Sequence, residues 1–265
     1  MPSLPRVARA ALHLWEEPCI SGRQGSGTIF FSGCTLRCVF CQNRSISHGG
    51  FGKTVTVAQL RAIMERLIGQ GASNINLVSP TPYALAIREA LEKPLPVPVV
   101  WNTGGYERVE TLRLLEGRIS VYLPDLKYGD NSLGQTLSGA ADYFPAATAA
   151  ISEMVRQTGD YVMENGMLKR GVLIRHLLLP GQLENTRQVL DWIAAAFRPG
   201  QVLVSLMAQY TPQPDAEGTL ARPVTSMEYR AALRYMEALG ITDGFVQERS
   251  SAQSLYTPDF DLTGV

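Results

Sequence analysis

The chain has 265 residues, and its 24 lysines and arginines balance 24 aspartates and glutamates, so the formal net charge is zero. This balance argues against a nucleic acid or other polyanion as the partner, and 45% hydrophobic residues exclude the composition of a disordered chain. A chain of this length buries most of its unfolded surface, so we expect one domain. We find no apolar run typical of a signal peptide or a membrane span, and we expect a cytoplasmic protein.

Short apolar runs alternate with amphipathic segments along the chain. Six runs are predicted strands, at residues 28–33, 75–79, 97–102, 119–123, 172–179 and 202–207. Six segments have apolar residues at helical spacing, at residues 57–70, 83–91, 106–115, 146–157, 186–196 and 227–239. Strands separated by helices of this length imply a parallel sheet with right-handed crossovers, curved into a barrel or partial barrel. We divide the chain into an N-terminal extension (1–24), a barrel core (25–240) and a C-terminal segment (241–265).

Polar segments lie at the predicted strand ends. They contain Cys34, Ser79-Pro80-Thr81, Asn102-Thr103, Asp125 and Lys127, Arg175-His176, and Gln209-Tyr210-Thr211. In barrels of this kind the working groups lie on loops at the carboxyl ends of the strands, so these residues would share one mouth. Loops are polar in any case, so the pattern alone favours an active site and a set of ordinary surface loops equally.

Cys34, Cys38 and Cys41 fall within eight residues, a spacing that lets one loop wrap a single soft metal centre. Three thiolates are too few for a closed zinc site or an ordinary ferredoxin cluster, each of which takes four ligands. Cys19 or His48 would complete such a site, so a zinc-stabilised binding module is an alternative. We interpret Cys19 as a semi-buried thiol and His48 as part of a solvated turn.

The cysteine segment GCTLRCVFCQN at 33–43 resembles the C-x3-C-x2-C signature of the radical S-adenosylmethionine (radical SAM) superfamily. The segments HLWEEPCISG, SGTIFFSGC, NINLVSPTPY, WNTGGYE and YLPDLKYGD resemble the pyruvate formate-lyase activating enzyme group, and especially uncharacterised relatives of that enzyme. The likeness covers nearly the whole chain. It implies a partial (β/α)6 TIM-type barrel, a 4Fe-4S cluster held by the three cysteines, and S-adenosylmethionine (SAM) bound at the open iron.

The resemblance also implies roles for residues around the cofactor. Phe40 would lie against the adenine, and the alternative is that its ring packs under the cluster loop. Ser79, Pro80 and Thr81 stand where activating enzymes carry a Gly-Gly-Glu motif for the methionine amino group. Two prolines remove backbone donors there, which leaves carbonyls and two hydroxyls as the contacts. A turn with a helix-capping hydroxyl is the alternative.

The next strand ends match segments that contact the cofactor and contribute to a monovalent cation site in the activating enzyme. These residues are Asn102, Thr103, Asp125 and Lys127. Asn102 replaces an aspartate, which removes a negative charge from the implied cation site. Asp125 and Lys127 alternate along an extended segment and therefore point to one side. We place Lys127 with the three cysteines among the catalytic residues, and a solvated ion pair of little consequence is the alternative.

Arg175 and His176 are adjacent on a strand, so only one of them faces the barrel interior. Arg175 matches an arginine of the activating enzyme and suits the cofactor carboxylate or ribose. We interpret His176 as a core or outer-face histidine. Gln209-Tyr210-Thr211 replaces a Tyr-His pair of the activating enzyme, which weakens the transfer of that enzyme's substrate to this chain.

These features predict a radical SAM enzyme that cleaves SAM reductively to a 5'-deoxyadenosyl radical, which then abstracts hydrogen from a substrate. The narrow hypothesis is activation of a glycyl radical enzyme, with an electron donor such as flavodoxin or ferredoxin. The alternatives are a radical SAM enzyme that modifies another peptide or a small molecule, and the zinc-stabilised binding module. We expect no nucleic acid or membrane partner.

Overall fold

The computed structural model describes residues 4–246 and 258–265. Its strands are β1 (Arg6–His13), β2 (Ser26–Phe31), β3 (Lys53–Thr54), β4 (Ile75–Val78), β5 (Val99–Thr103), β6 (Val121–Pro124), β7 (Val162–Glu164), β8 (Met167–Leu177), β9 (Leu203–Met207) and β10 (Gly244–Val246). Its α-helices are α1 (Pro18–Ser21), α2 (Arg44–Ser47), α3 (Val57–Gly69), α4 (Ala84–Ala90), α5 (Val109–Arg113), α6 (Asn131–Ser138), α7 (Tyr143–Thr158), α8 (Leu183–Ala196) and α9 (Ser226–Ala238). Short 3-10 helices occupy Thr81–Tyr83 and Gly218–Ala221.

The strands form one sheet in the order β10-β9-β8-β6-β5-β4-β2-β1-β3, with β7 paired to β8 beside this path. Neighbours from β2 to β10 along the path are parallel, whereas β1 pairs antiparallel with β2 and with β3. Within the described ranges the path stays open at β10 and β3, so the sheet is a partial barrel. The six predicted strands correspond to β2, β4, β5, β6, β8 and β9, which confirms the expected parallel α/β architecture.

The elements that were not predicted include β1, β10 and α6. β1 lies in the predicted N-terminal extension, and its sequence RVARAALH has no clear alternation of apolar and polar residues. β10 lies in the predicted C-terminal segment and has only three residues. α6 contains Gly134, a poor helix former. Long-range pairing and packing therefore decide these elements, since local propensity does not.

The two faces of the sheet pack into separate apolar clusters. The outer face packs against the helices in one large cluster that includes Phe31, Leu77 and Trp101. On the inner face, Cys19 and Ile20 of α1 pack against residues near the amino ends of the strands, namely Val100, Val121, Leu173 and Leu203. α1 therefore fills one end of the concave face and leaves the carboxyl ends of the strands for other groups.

The described part of the C-terminal segment returns to β1. Backbone amides of Ala10 and Leu262 donate to the carbonyls of Thr263 and Ala8, and Arg9 pairs with Asp261 at 2.8 Å. Within residues 4–246 and 258–265, none of the helices combines the length and apolar character that crossing a bilayer requires.

Candidate active site

An open cavity lies over the carboxyl ends of the parallel strands and contains about 1300 Å³ of empty space, a volume that includes solvent at its open side. The predicted site residues that line it are Cys34, Cys38, Phe40, Cys41, Ser79, Asn102, Thr103, Asp125, Lys127 and Arg175. Gln209, Tyr210 and Thr211 also line it. The loops after successive strands therefore share one mouth, as the parallel topology requires.

The three clustered thiols lie on one wall of this cavity. Cys38 is 8% exposed, and Cys34 and Cys41 are half-buried. Burial raises the pKa of Cys34 to about 11 and also raises the pKa of Cys38. At neutral pH Cys34 and Cys38 keep their protons unless a metal centre compensates the thiolate charge. Their chemistry is therefore that of latent metal ligands.

The end of α6 holds the cysteine loop against the sheet. The backbone amide of Arg37 donates to the Ser138 carbonyl at 3.1 Å, and that of Val39 donates to the Leu137 carbonyl at 2.9 Å. The Ser138 hydroxyl also lies 2.9 Å from the sulfur of Cys38. These contacts use carbonyls that the last turn of a helix leaves without helical partners.

A network of charged and amide side chains lies across the cavity floor. Arg175 donates from Nε to Asp125 Oδ1 at 2.9 Å, from Nη1 to Glu16 Oε1 at 3.0 Å, and from Nη2 to Asn102 Oδ1 at 2.8 Å. Lys127 Nζ donates to Asp125 Oδ2 at 2.5 Å. The side chains of Asp125, Lys127, Arg175 and Glu16 are 13–15% exposed. Arg175 therefore faces the concave side, and one guanidinium joins three segments of the chain.

The charges in this network stabilise one another. Burial alone would raise the pKa of Asp125, but the charges of Arg175 and Lys127 hold it below its usual value. Burial would likewise lower the pKa of Lys127, and the charge of Asp125 raises it instead. Both side chains are therefore ionised at neutral pH.

Residues 28–193, more than half of the chain, match the sequence model of the Radical SAM superfamily. The chain belongs to the radical SAM superfamily. An uncharacterized protein of Methanocaldococcus jannaschii is 34% identical over 240 residues, which cover 85% of this chain and 65% of that protein. This radical SAM chain therefore spans just under two thirds of the length of that relative.

Two solved structures share the fold. A radical SAM methyltransferase from Sphaerobacter thermophilus superimposes with a TM-score of 0.54 at 17% identity, covering 83% of this chain and 66% of that one. Streptococcus suis SuiB bound to S-adenosylmethionine superimposes with a TM-score of 0.55 at 12% identity, covering 82% of this chain and 48% of that one. At these identities the likeness confirms the partial TIM-type barrel of this radical SAM chain.

Radical SAM enzymes use a 4Fe-4S cluster and SAM, and these are the cofactors of this chain. Cys34, Cys38 and Cys41 fit the cluster because they place three soft donors on one cavity wall beside the positive charge of Lys127. Within the described ranges, no three His, Cys, Asp or Glu side chains converge as they would around a single metal ion. Membership of the radical SAM superfamily replaces the zinc-stabilised binding module as the explanation of the cysteines.

Only part of the segment from Ser79 to Thr81 lines the cavity. Ser79 lines the cavity of this radical SAM chain, whereas Pro80 and Thr81 do not. The Thr81 hydroxyl donates to the fully buried Glu107, whose Oε1 also accepts from Thr103 at 2.5 Å. The Thr81 hydroxyl is therefore already hydrogen-bonded to Glu107, and its contact with the cofactor stays a prediction. Backbone carbonyl contacts at 79–81 stay a prediction.

The implied cation site has no free carboxylate oxygen. Asp125 accepts from Arg175 and Lys127, and Glu16 accepts from Arg175, from Asn76 at 3.1 Å and from Asn102 at 2.9 Å. A monovalent cation would have to compete with these donors. The cation stays a prediction that follows from the resemblance alone.

The sequence offered Cys19 and His48 as residues that could complete a closed metal site, and the two lie in different parts of the structure. Cys19 is 1% exposed, packs in the inner core against the strands and does not line the cavity. Burial and neighbouring carboxylates raise the pKa of Cys19 to about 12, so the thiol is more deeply buried than the semi-buried position that the sequence predicted. His48 instead lies beside the cysteine loop, where its Nδ1 is 2.7 Å from Ser47 Oγ and that oxygen is 3.2 Å from the sulfur of Cys41.

His176 is a core histidine, as the sequence predicted. It is fully buried, with Nδ1 2.7 Å from the Leu126 carbonyl and Nε2 2.9 Å from Thr186 Oγ1. Burial lowers its pKa to about 4, so the ring is neutral at physiological pH. Its position opposite Arg175 follows from the alternation of side chains along β8.

Glu16 is the site residue that sequence reasoning missed. It follows β1 and faces the cavity together with His13 and Trp15, all from the predicted N-terminal extension. The segment HLWEEPCISG was noted as part of the family resemblance, but a glutamate in an N-terminal segment has no local feature that marks a site. Only the folded chain brings Glu16 to Arg175, which is 159 positions away.

Proposed function

We propose that this chain is a hydrogen-abstracting radical SAM enzyme, with activation of a glycyl radical enzyme as its narrower function. The observation that supports this proposal is that three cysteine thiols and the Asp125–Lys127–Arg175 network line one cavity. When bound, the cluster and SAM together supply a 5'-deoxyadenosyl radical that abstracts a hydrogen atom from a substrate.

The chain's own residues bind and orient these groups. Cys34, Cys38 and Cys41 are the cluster ligands in this proposal. Phe40 and Tyr210 face the same cavity with their ring centroids 6.3 Å apart, and they offer an aromatic surface for the adenine. Among the three thiols, Cys38 is the one that the fold shields most from water.

The contacts on the cavity floor indicate different roles for the side chains of Arg175 and Lys127. Each guanidinium nitrogen of Arg175 already donates to a side chain, so we assign Arg175 to positioning Glu16, Asn102 and Asp125. An ammonium has three N–H donors, and Lys127 directs one of them to Asp125. We propose that Lys127 presents the others to the cofactor carboxylate.

The segments shared with the pyruvate formate-lyase activating enzyme group favour a glycyl radical enzyme as the substrate. The absence of that group's Tyr-His pair at Gln209-Tyr210-Thr211 supports the broader alternative, a different peptide or a small molecule. Trp15, which lines the cavity and is 59% exposed, offers a surface that either kind of substrate could contact. We propose a low-potential flavodoxin or ferredoxin as the electron donor.

Anaerobic reconstitution tests the cluster ligands. We expect Cys34→Ala, Cys38→Ala and Cys41→Ala each to abolish cluster assembly, because each removes one of only three ligands. Cys19→Ala is the matched control and should keep the cluster, because Cys19 packs in the inner core. Iron and sulfide counts measure the outcome. Loss of the cluster in Cys19→Ala would contradict the three-ligand assignment.

The reaction itself is tested with dithionite-reduced enzyme. We expect slow formation of methionine and 5'-deoxyadenosine from SAM without a substrate, and no formation in Cys38→Ala. A true glycyl radical partner would accelerate the reaction and acquire a glycyl radical signal in electron paramagnetic resonance (EPR). Acceleration by a small molecule, with deuterium transferred into 5'-deoxyadenosine, would favour the alternative. A fully assembled cluster that yields no 5'-deoxyadenosine under any of these conditions would contradict the proposal.

A further inference from the structure

The sulfur of Cys38 lies at the end of a buried chain of hydroxyl groups. Ser138 Oγ donates to Cys38 Sγ at 2.9 Å, and the Tyr128 hydroxyl lies 2.6 Å from Ser138 Oγ. Ser138 is 2% exposed and Tyr128 is fully buried. Neither hydroxyl takes part in the cofactor contacts proposed above.

The hydrogen bonds from Tyr128 through Ser138 to Cys38 all run in one direction. A serine hydroxyl has a single proton, and Ser138 directs it to the sulfur. The Tyr128 hydroxyl must then donate to Ser138 Oγ. Consecutive hydrogen bonds polarise one another, so Tyr128 strengthens the bond from Ser138 to the sulfur.

This donor is the strongest one that the described side chains and amides offer to the three clustered sulfurs. Cys41 Sγ lies 3.2 Å from the half-buried Ser47 hydroxyl, and Cys34 Sγ accepts from the Leu36 amide at 3.5 Å. The contact at Cys38 is shorter and lies in the interior, where a low dielectric makes a hydrogen bond stronger. The Ser138 carbonyl also accepts from the Arg37 amide, which fixes Ser138 to the cysteine loop at two points.

We propose that Ser138, supported by Tyr128, raises the reduction potential of the 4Fe-4S cluster through the sulfur of Cys38. On reduction the cluster takes one electron from a low-potential donor, and no bond breaks and no proton moves. The added negative charge is shared with the thiolate sulfurs, so a donor to sulfur stabilises the reduced state more than the oxidised state. The inference rests on the cluster assignment within the proposed function and on no particular substrate.

The test is a redox titration of reconstituted enzyme, followed by EPR without SAM or substrate. We expect Ser138→Ala to lower the equilibrium constant for reduction by up to about tenfold, which is about 59 mV for a one-electron couple. Tyr128→Phe should shift the potential in the same direction by less, because Ser138 still donates. Thr136→Ala is the matched control, since it removes an exposed hydroxyl from the same helix and should leave the potential unchanged.

A double variant with both Ser138→Ala and Tyr128→Phe distinguishes a hydrogen-bond relay from two independent structural effects. Because Tyr128 acts mainly through Ser138, the double variant should have a potential close to that of Ser138→Ala, with only a small further shift from the direct interaction of Tyr128 with Cys38. Additive shifts, an unchanged potential in Ser138→Ala, or a potential that rises would each overturn the inference. Where Ser138→Ala fails to assemble a cluster, Tyr128→Phe decides, and an unshifted potential there overturns the inference. Wild-type enzyme that titrates normally but forms no 5'-deoxyadenosine would contradict the proposed function alone.

Discussion

Glu16 connects the N-terminal segment to the cavity floor through both of its carboxylate oxygens. Oε1 accepts from Arg175, and Oε2 accepts from the amides of Asn76 and Asn102. The Glu16 side chain is only 13% exposed, so little water can reach these donors to replace the carboxylate as their acceptor. One carboxylate therefore orients groups from three strands.

We expect Glu16→Ala to weaken SAM binding by about tenfold, or about 1.4 kcal/mol, because Arg175 and Asn102 lose a shared acceptor. The loss of a buried charge partner should also lower the free energy of unfolding by about 2 kcal/mol. Calorimetry of the reconstituted enzyme and chemical denaturation measure the two effects. Glu65→Ala, which removes an exposed partner of Arg61, is the control and should change neither. Unchanged affinity in Glu16→Ala would show that Glu16 does not position the floor.

His176 makes the stability of the fold depend on pH. Burial lowers its pKa from 6.5 to about 4, so the unfolded chain binds the proton first as the pH falls. Stability is therefore complete above pH 6.5 and is lost progressively between pH 6.5 and 4. From pH 7.5 to 5 we expect His176 to account for a loss of about 2 kcal/mol in the free energy of unfolding.

Urea denaturation of the cluster-free protein at the two pH values measures this loss. The His176→Gln variant cannot titrate at this position, and its stability should fall by about 2 kcal/mol less than that of the wild type. Other titrating groups are common to both proteins, so the difference reports His176. Equal losses in the two proteins would show that the ring is not kept neutral by burial.

At the scale of elements, the residue that follows β4 has a left-handed backbone conformation. Ser79 follows β4 with a φ of 56°, and its amide donates to the Asn102 carbonyl at 2.9 Å. A side chain other than glycine costs about 1–2 kcal/mol in this conformation. The strand end is therefore strained where it borders the cavity.

We expect Ser79→Gly to be neutral or to stabilise the fold by up to about 1 kcal/mol, because relief of strain exceeds the entropy that glycine loses on folding. Ser79→Val should destabilise it by about 1–2 kcal/mol. Ser152→Gly is the control in the exposed interior of α7 and should cost about 0.5 kcal/mol. Thermal denaturation measures all three. If Ser79→Gly destabilises the fold as much as Ser152→Gly does, then the backbone at Ser79 is not strained.

At the scale of the whole molecule, the cavity walls come from the segment after β1, the cysteine loop and the ends of β4, β5, β6, β8 and β9. A ligand in this cavity touches segments from most of the chain. Because it binds the folded state alone, it stabilises that state in proportion to the logarithm of its concentration.

SAM at about a hundred times its dissociation constant should stabilise the cluster-loaded enzyme by about 2.7 kcal/mol. For a chain of this size that corresponds to a rise of about 5–10 °C in the melting temperature. Anaerobic scanning fluorimetry measures the shift, and Cys38→Ala without a cluster is the control that should show little of it. Equal shifts in both proteins would place SAM binding away from the cluster.

Spacing and periodicity in the sequence by themselves determined the parallel α/β architecture, the three-cysteine loop and the placement of Arg175 and His176 on opposite faces of one strand. These are local properties, because a helix or strand repeats over a few residues and a ligand loop closes over eight. The tertiary structure alone decided that Glu16 meets Arg175, that Ser138 meets Cys38, and that residues 6–13 form β1. Such contacts join residues about 20 to 160 positions apart, and their energy comes from burial and complementary charge that exist only once the chain is folded.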